Sequence, residues 1–121
     1  MLPQPHRLSR SADVARVRQQ GRTFRHPLCI LLVKSAETGV SRFAFIASKR
    51  VGKAVVRNRA RRLLREAVRL HLGSIQPGWD CVWIARPHLP SASFAEVETA
   101  VLQLLTQAKL ITDIARTETL D

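Results

Sequence analysis

Five side chains in one short segment have the types and the spacing to do chemistry. Asn58, Arg61, Arg62, Arg65 and Arg69 recur every three or four residues, so on a helix they stand in a row. Opposite them Val56, Ala60, Leu63, Leu64, Ala67 and Val68 form one apolar stripe. A guanidinium is planar, permanently charged and forks onto phosphate oxygens, so the row suits the backbone of a polyanion. Like charges at i,i+4 repel by about 0.2–0.5 kcal/mol per pair in isolated helices, and phosphates within reach would offset that cost. Lys49, Arg50 and Lys53 add charge just before the helix, whose first turn offers free N–H groups and a positive dipole end. Gly52 stands in that approach. It is either a turn or cap glycine, the favoured reading, or a point where the backbone comes close to a ligand.

Residue types for catalysis are present but do not converge. His6, His26, His71 and His88 are scattered, and Asp13, Glu37, Glu66 and Asp80 fall in separate elements. A two-metal hydrolytic site needs acids that meet. No catalytic residue and no metal ligand is therefore assigned. Cys29 and Cys81 lie far apart in apolar runs, with no C-x-x-C pair, and read as buried free thiols of a reducing compartment.

Composition agrees with a binding role. Twenty Lys and Arg face nine Asp and Glu, a net charge of +11. Residues 42–69 hold eight Arg and two Lys against Glu66 alone, which concentrates the charge mid-chain. Such an excess repels itself, and a nucleic-acid partner explains it. The 121 residues suit one domain with a real core. The N-terminus has no apolar leader segment and no stretch approaches a membrane span, so a cytoplasmic protein without a membrane partner is expected.

The elements that position the row follow from periodicity. Residues 1–8 read as a loose, proline-bearing arm. A short helix follows, capped by Ser9 or Ser11, with Asp13 in its first turn and Gly21 past its end. Residues 23–34 read as a strand covered on both faces, joined by a turn at residues 37–39 to a returning strand over 40–48. The basic helix spans 54–72 and stops at Gly73. Residues 80–85 form a buried strand, and Ser93 with Glu96 makes a capping box for a last helix. The tail over 112–121 is expected to fray. The order α-β-β-α-β-α predicts an α+β sandwich, a mixed sheet packed by helices, with a β-α-β crossover through the basic helix.

The run KRVGKAVVRNRARRLLREAVR over residues 49–69 resembles the signature of the bacterial ribonuclease P protein component. That family's hallmark is an Arg-Asn-Arg helix after a basic turn, here Arg57-Asn58-Arg59. The helix opening near Arg7 and Leu8, the Gly21 stop, the apolar strands and the final helix fall in the family's order. The resemblance implies a fold like the second domain of ribosomal protein S5, with a left-handed β-α-β crossover where general sheet rules expect a right-handed one. It implies a subunit of the enzyme that removes the 5′ leader of precursor tRNA. The catalytic RNA would hold the magnesium ions, and the protein itself would bind no cofactor.

Carried over by residue, the resemblance assigns Lys49, Arg50, Lys53, Arg57, Asn58, Arg59, Arg62 and Arg69 to the catalytic RNA. It assigns Val14, Arg18, Leu32, Asn58, Arg61 and Arg65 to a cleft for the single-stranded leader. The family places aromatic residues where this chain has Val14, Arg18 and Leu32, and base stacking on an aromatic is worth about 1–3 kcal/mol. Leader grip here would lean on Arg18 and apolar contacts. Phe43 and Phe45 read as core in preference to stacking residues. The rival is a structural RNA-binding protein of ribosomal type, from which only the 48–69 string separates this chain. DNA binding is disfavoured because a strand, not a helix, precedes the basic helix.

Overall fold

The computed structural model describes residues 2–111. Helix α1 (Ser11–Gln20) leads into strands β1 (Arg22–Arg25), β2 (Cys29–Ser35) and β3 (Arg42–Ile46). Helix α2 (Ala54–Leu70), strand β4 (Trp79–Ala85) and helix α3 (Phe94–Gln107) follow, with short 3-10 turns at Gln4–His6, Leu72–Ser74 and Leu89–Ser91. The sheet order is β1-β2-β4-β3. Only β3 and β4 run parallel, joined by the crossover through α2. The α+β sandwich is as expected.

The strand pairing is not. The expected hairpin between residues 23–34 and 40–48 does not exist, for two reasons. Pro27 has no N–H to give a ladder, and His26 turns the chain instead: its backbone N–H donates to the Cys29 carbonyl at 2.9 Å, and its Nδ1 accepts from the Leu28 N–H at 3.0 Å. The first segment is therefore itself a hairpin, β1 with β2. Strand β4 takes the second edge of β2, leaving β3 to pair beyond it.

Alternation gives the sheet two unlike faces. Cys29, Leu31, Val33, Phe43, Cys81 and Trp83 point into the main core, where α2 adds Ala60, Leu64 and Val68 and α3 adds Val97, Val101 and Leu104. Burial pushes the Cys29 thiol up to about 12 and raises that of Cys81 further, so both free thiols are inert. The opposite face carries a smaller cluster of Leu32 and Val82 under Leu8 and Val17.

Helix ends show where local signals held. In α3 the Ser93 Oγ accepts from the Glu96 N–H at 3.1 Å while the Glu96 carboxylate accepts from the Ser93 N–H at 2.9 Å, the expected box. Those bonds hold the Glu96 carboxyl below its ordinary range. In α1 the cap position falls to Arg10, with no side-chain cap bond, because Ser11 already lies inside the first turn. Gly21 follows α1 in an extended conformation, so its role is close approach. A Cβ there would lie 2.5 Å from the Val17 carbonyl oxygen and 2.8 Å from that of Val33. The expected stop at Gly73 is also displaced: α2 ends at Leu70, His71 caps it, and Gly73 sits in the following 3-10 turn.

The segment expected as a loose arm is seated on the sheet. Leu2 and Leu8 are buried, the Leu8 N–H donates to the Phe43 carbonyl at 2.9 Å, and the His6 Nδ1–H donates to the Ser41 carbonyl at 2.8 Å. Two buried leucines anchor what its prolines alone suggested was free. The tail over 112–121 lies outside the described residues.

Candidate nucleic-acid interface

The apolar stripe of α2 fixes which way its cations face. With Ala60, Leu64, Ala67 and Val68 buried, Asn58, Arg59, Arg62 and Arg69 are exposed and Arg57, Arg61 and Arg65 are half-buried along the flanks. The triplet Arg57-Asn58-Arg59 spreads round the helix at about 100° per residue, so its members serve different surroundings. The Asn58 Oδ1 accepts from the Arg61 Nη2, and the Arg59 Nε donates to the Pro90 carbonyl at 3.2 Å. Arg65 lies over the Phe45 ring at 5.5 Å, a cation–π contact that holds the guanidinium at the β3 edge. Arg69 is ion-paired with Glu66, which lowers the Glu66 carboxyl and leaves this arginine the most neutralised of the row. Lys49, Arg50 and Lys53 are exposed on the turn that enters α2. That turn needs Gly52, whose φ of +146° is open to glycine and whose Cβ would press Val56 at 2.9 Å.

A groove of about 460 Å³ opens beside this flank. Its walls are Leu2, Arg7, Leu8 and Val14 on one side and Arg65 on the other, with Phe43, Ala44, Phe45 and Ile46 of β3 between. Val14 and Arg65, both assigned to the leader cleft, thus line one groove. Asn58 and Arg61 continue from Arg65 along α2. Leu32 does not reach the groove, because Val17 and Leu8 bury it beneath α1. Arg18 is exposed at the far end of α1 and is not among the groove residues. Phe43 is core, and Phe45 packs on the core while its ring meets Arg65.

Two sets of residues were missing from the sequence reading. Leu2, Arg7 and Leu8 fall in the segment that reads as an arm, although paired leucines around a proline-bearing turn are a signal of an anchored segment. The second set is the cluster that fixes α1. Arg42 donates from Nε and Nη2 to the two Asp80 oxygens at 2.9 and 2.8 Å and approaches Asp13 of α1 at 3.6 Å, while Arg16 meets Asp13 at 3.5 Å. Asp80 is buried, so this fork fixes the Arg42 guanidinium where water competes little, and from there it reaches Asp13 of α1. Hydrogen bonding to Asp80 raises the Arg42 pKa further. Arg42 belongs to structure, not to the free cationic surface in which a count of charges would include it.

Among the described residues no group of three or more His, Cys, Asp or Glu could hold a metal ion. The site's own groups can bind and orient a polyanion. They offer no nucleophile poised by a base.

The family profile described as Ribonuclease P matches residues 2–109. The chain belongs to the ribonuclease P protein family. Ribonuclease P protein components from Herpetosiphon aurantiacus and Chloroflexus aurantiacus are similar to it. The first is 40% identical over 109 residues, covering 90% of this chain and 89% of the relative. The second is 46% identical over 107 residues, covering 88% and 79%. Among solved structures, the RNase P protein from Thermotoga maritima superposes with a TM-score of 0.76 at 28% identity, covering 84% of this chain and 96% of that one. The Staphylococcus aureus RNase P protein superposes at 0.80 over 88% and 98%, and at 24% identity it speaks for the fold alone. As a ribonuclease P protein component, the chain is an RNA-binding subunit of a tRNA-processing ribonucleoprotein enzyme.

Proposed function

We propose that this subunit binds the catalytic RNA through the outer face of α2 and the turn before it, and holds the 5′ leader of precursor tRNA in the groove beside Arg65. Arg57, Arg59 and Arg62, with Lys49, Arg50 and Lys53, supply phosphate contacts that give affinity without sequence demands. In the groove, Arg65 neutralises leader phosphates while Val14, Ala44 and Ile46 meet base faces. The single observation that carries this reading is the juxtaposition of an aromatic-backed Arg65, without an ion-pair partner among the described residues, with an apolar groove open to solvent. Magnesium, held by the catalytic RNA, would supply activated water for hydrolysis; the protein's part is to bind and place the substrate in the cytoplasm where tRNA is made.

The test is cleavage of a precursor tRNA at low magnesium by RNA alone, protein alone and the mixture. Cleavage at the mature 5′ end by the mixture only is expected. Arg65→Ala should weaken binding of leader-bearing precursor by about 1–3 kcal/mol and lower the salt slope by about 0.7, with leaderless tRNA unaffected. An unchanged slope would remove the leader from this groove.

A further inference from the structure

Acidic side chains are unevenly placed in this chain. The described residues carry nineteen Lys and Arg against six Asp and Glu. Five of those six acids are already engaged: Asp13 and Asp80 with Arg42, Glu66 with Arg69, Glu98 with His71, and Glu96 in capping Ser93. Glu37, exposed in the β2–β3 connection, has no such partner among the described residues. Arg16, Arg42 and Arg69 are the only Lys or Arg in a salt bridge there, which leaves sixteen without one. The other three acids of the chain, Asp113, Glu118 and Asp121, all fall within residues 112–121, where Arg116 is the one cation.

The point from which that acidic segment departs is fixed. Past α3 the Leu110 N–H donates back to the Leu105 carbonyl at 2.9 Å, and Lys109 sits in the left-handed region at a φ of +62°. That conformation is strained for a residue with a Cβ, and burial of Leu110 holds it. The turn sends the chain to Gln76, whose N–H donates to the Leu110 carbonyl at 2.8 Å. Gln76 stands just past the C-terminal end of α2, and Leu72, Ile75, Leu110 and Ile111 share one core cluster there. The outer face of α2 shows Leu70 at this end and Val55 at its first turn, both exposed, with the exposed Arg59, Arg62 and Arg69 between them. Ten extended residues reach about 33 Å, and the 17 residues of α2 span about 25 Å, so the segment is long enough to lie along the helix.

We infer that residues 112–121 cover the outer face of α2 in the RNA-free protein, with their carboxylates among its arginines and Ile114 against Leu70, and that RNA must displace them to bind. The contact needs only this chain; its consequence rests on the reading of that face as an RNA surface given above. A segment that mixes acids with Ile114 and Leu120 matches a face that mixes arginines with Leu70 and Val55. The helix dipole disfavours carboxylates at the last turn of α2, which directs them inward to Arg62 and Arg59. There they offset the mutual repulsion of the row. Being tethered, the segment competes at a high local concentration however dilute the protein. It lowers affinity by the same factor for every RNA that must displace it. Weak contacts then fall below working concentrations, while a partner that engages many phosphates at once still binds.

Three forms of the protein test this: the wild type, a chain ending at Ile111, and the triple variant Asp113→Asn, Glu118→Gln, Asp121→Asn. The triple variant keeps the chain length and so guards against an effect of shortening on folding. In the protein without RNA, backbone NMR resonances of Arg59, Arg62 and Leu70 should shift between wild type and triple variant, while those of β1 stay in place. Affinity is then measured over a salt range for a short RNA duplex of arbitrary sequence and for the catalytic RNA. Both altered forms should bind each RNA about tenfold more tightly than the wild type at low salt. Their salt dependence should be steeper, and the gap should close as salt rises. Resonance shifts on another surface, or none, would overturn the inference. Unchanged affinity for both RNAs, in spite of the expected shifts, would overturn it as well. Arg62→Ala in the shortened chain keeps the two readings apart. Weaker binding to the catalytic RNA retains α2 as the RNA face even if the segment proves inert, whereas unchanged binding withdraws that face and the competition with it.

Discussion

The two faces of the sheet have been finished differently. One is closed by two helices, α2 and α3, over an apolar layer centred on the fully buried Trp83. The other carries one short helix, α1, which buries Leu32 and Val82 and leaves Ile30, Ile84 and Ile46 half exposed. A domain of this size cannot leave apolar floor open on both sides, since it needs most of that burial to offset chain entropy. Stability is therefore concentrated behind the sheet and binding surface in front of it. Helix α2 belongs to both: its stripe completes the closed face while its arginines border the open one.

Three substitutions would break or sharpen that contrast. The largest effect should come from Trp83→Ala, which empties the closed face and should destabilise by about 3–5 kcal/mol; chemical denaturation measures it, and a loss near zero would mean the layer is not the core. Next, Arg42→Ala strands the buried Asp80 carboxylate and frees α1, for a cost of about 1–3 kcal/mol. Unlike Trp83→Ala, it should also weaken leader binding at temperatures where the protein is fully folded, as a fluorescence titration would show. Smallest in stability, and opposite in sign for binding, is Val14→Phe. An aromatic on the groove wall should leave the melting temperature nearly unchanged and tighten leader binding by up to about 1–3 kcal/mol through stacking; no gain would mean that bases do not lie against α1.

What the sequence disclosed depended on how local each signal was. Helices α2 and α3 were legible because their stripes repeat within one element, and the Ser93–Glu96 box marks its own position. The arginine row and its orientation followed from the same stripe. Strand order was not legible. Nothing within residues 40–48 says that residues 79–85 will come between them and β2, because that choice is made by pairing across the whole chain. The hairpin error carried into the site: without the order β1-β2-β4-β3, Ile46, Ile84 and Ile30 cannot be seen as one row. Leu32 was placed in the cleft by resemblance, whereas alternation sets it with Val82 under Val17. The Arg42–Asp80 fork was hidden for a similar reason, its partners being 38 residues apart on strands whose adjacency sequence did not show.

The position of β4 has a consequence for how the protein is made. The strand that joins β2 to β3 is the last of the four to be synthesised, and translation delivers about 5–20 residues per second. Until it arrives, β2 lacks one neighbour and β3 has no strand to pair with. Helix α2, with its row of arginines, is already present beside that gap. For a few seconds the nascent chain is a cationic segment without a finished core, in a compartment crowded with RNA. The late strand closes the sheet and commits those arginines to one face, so assembly of the scaffold and exposure of its charge are ordered in time by the topology itself.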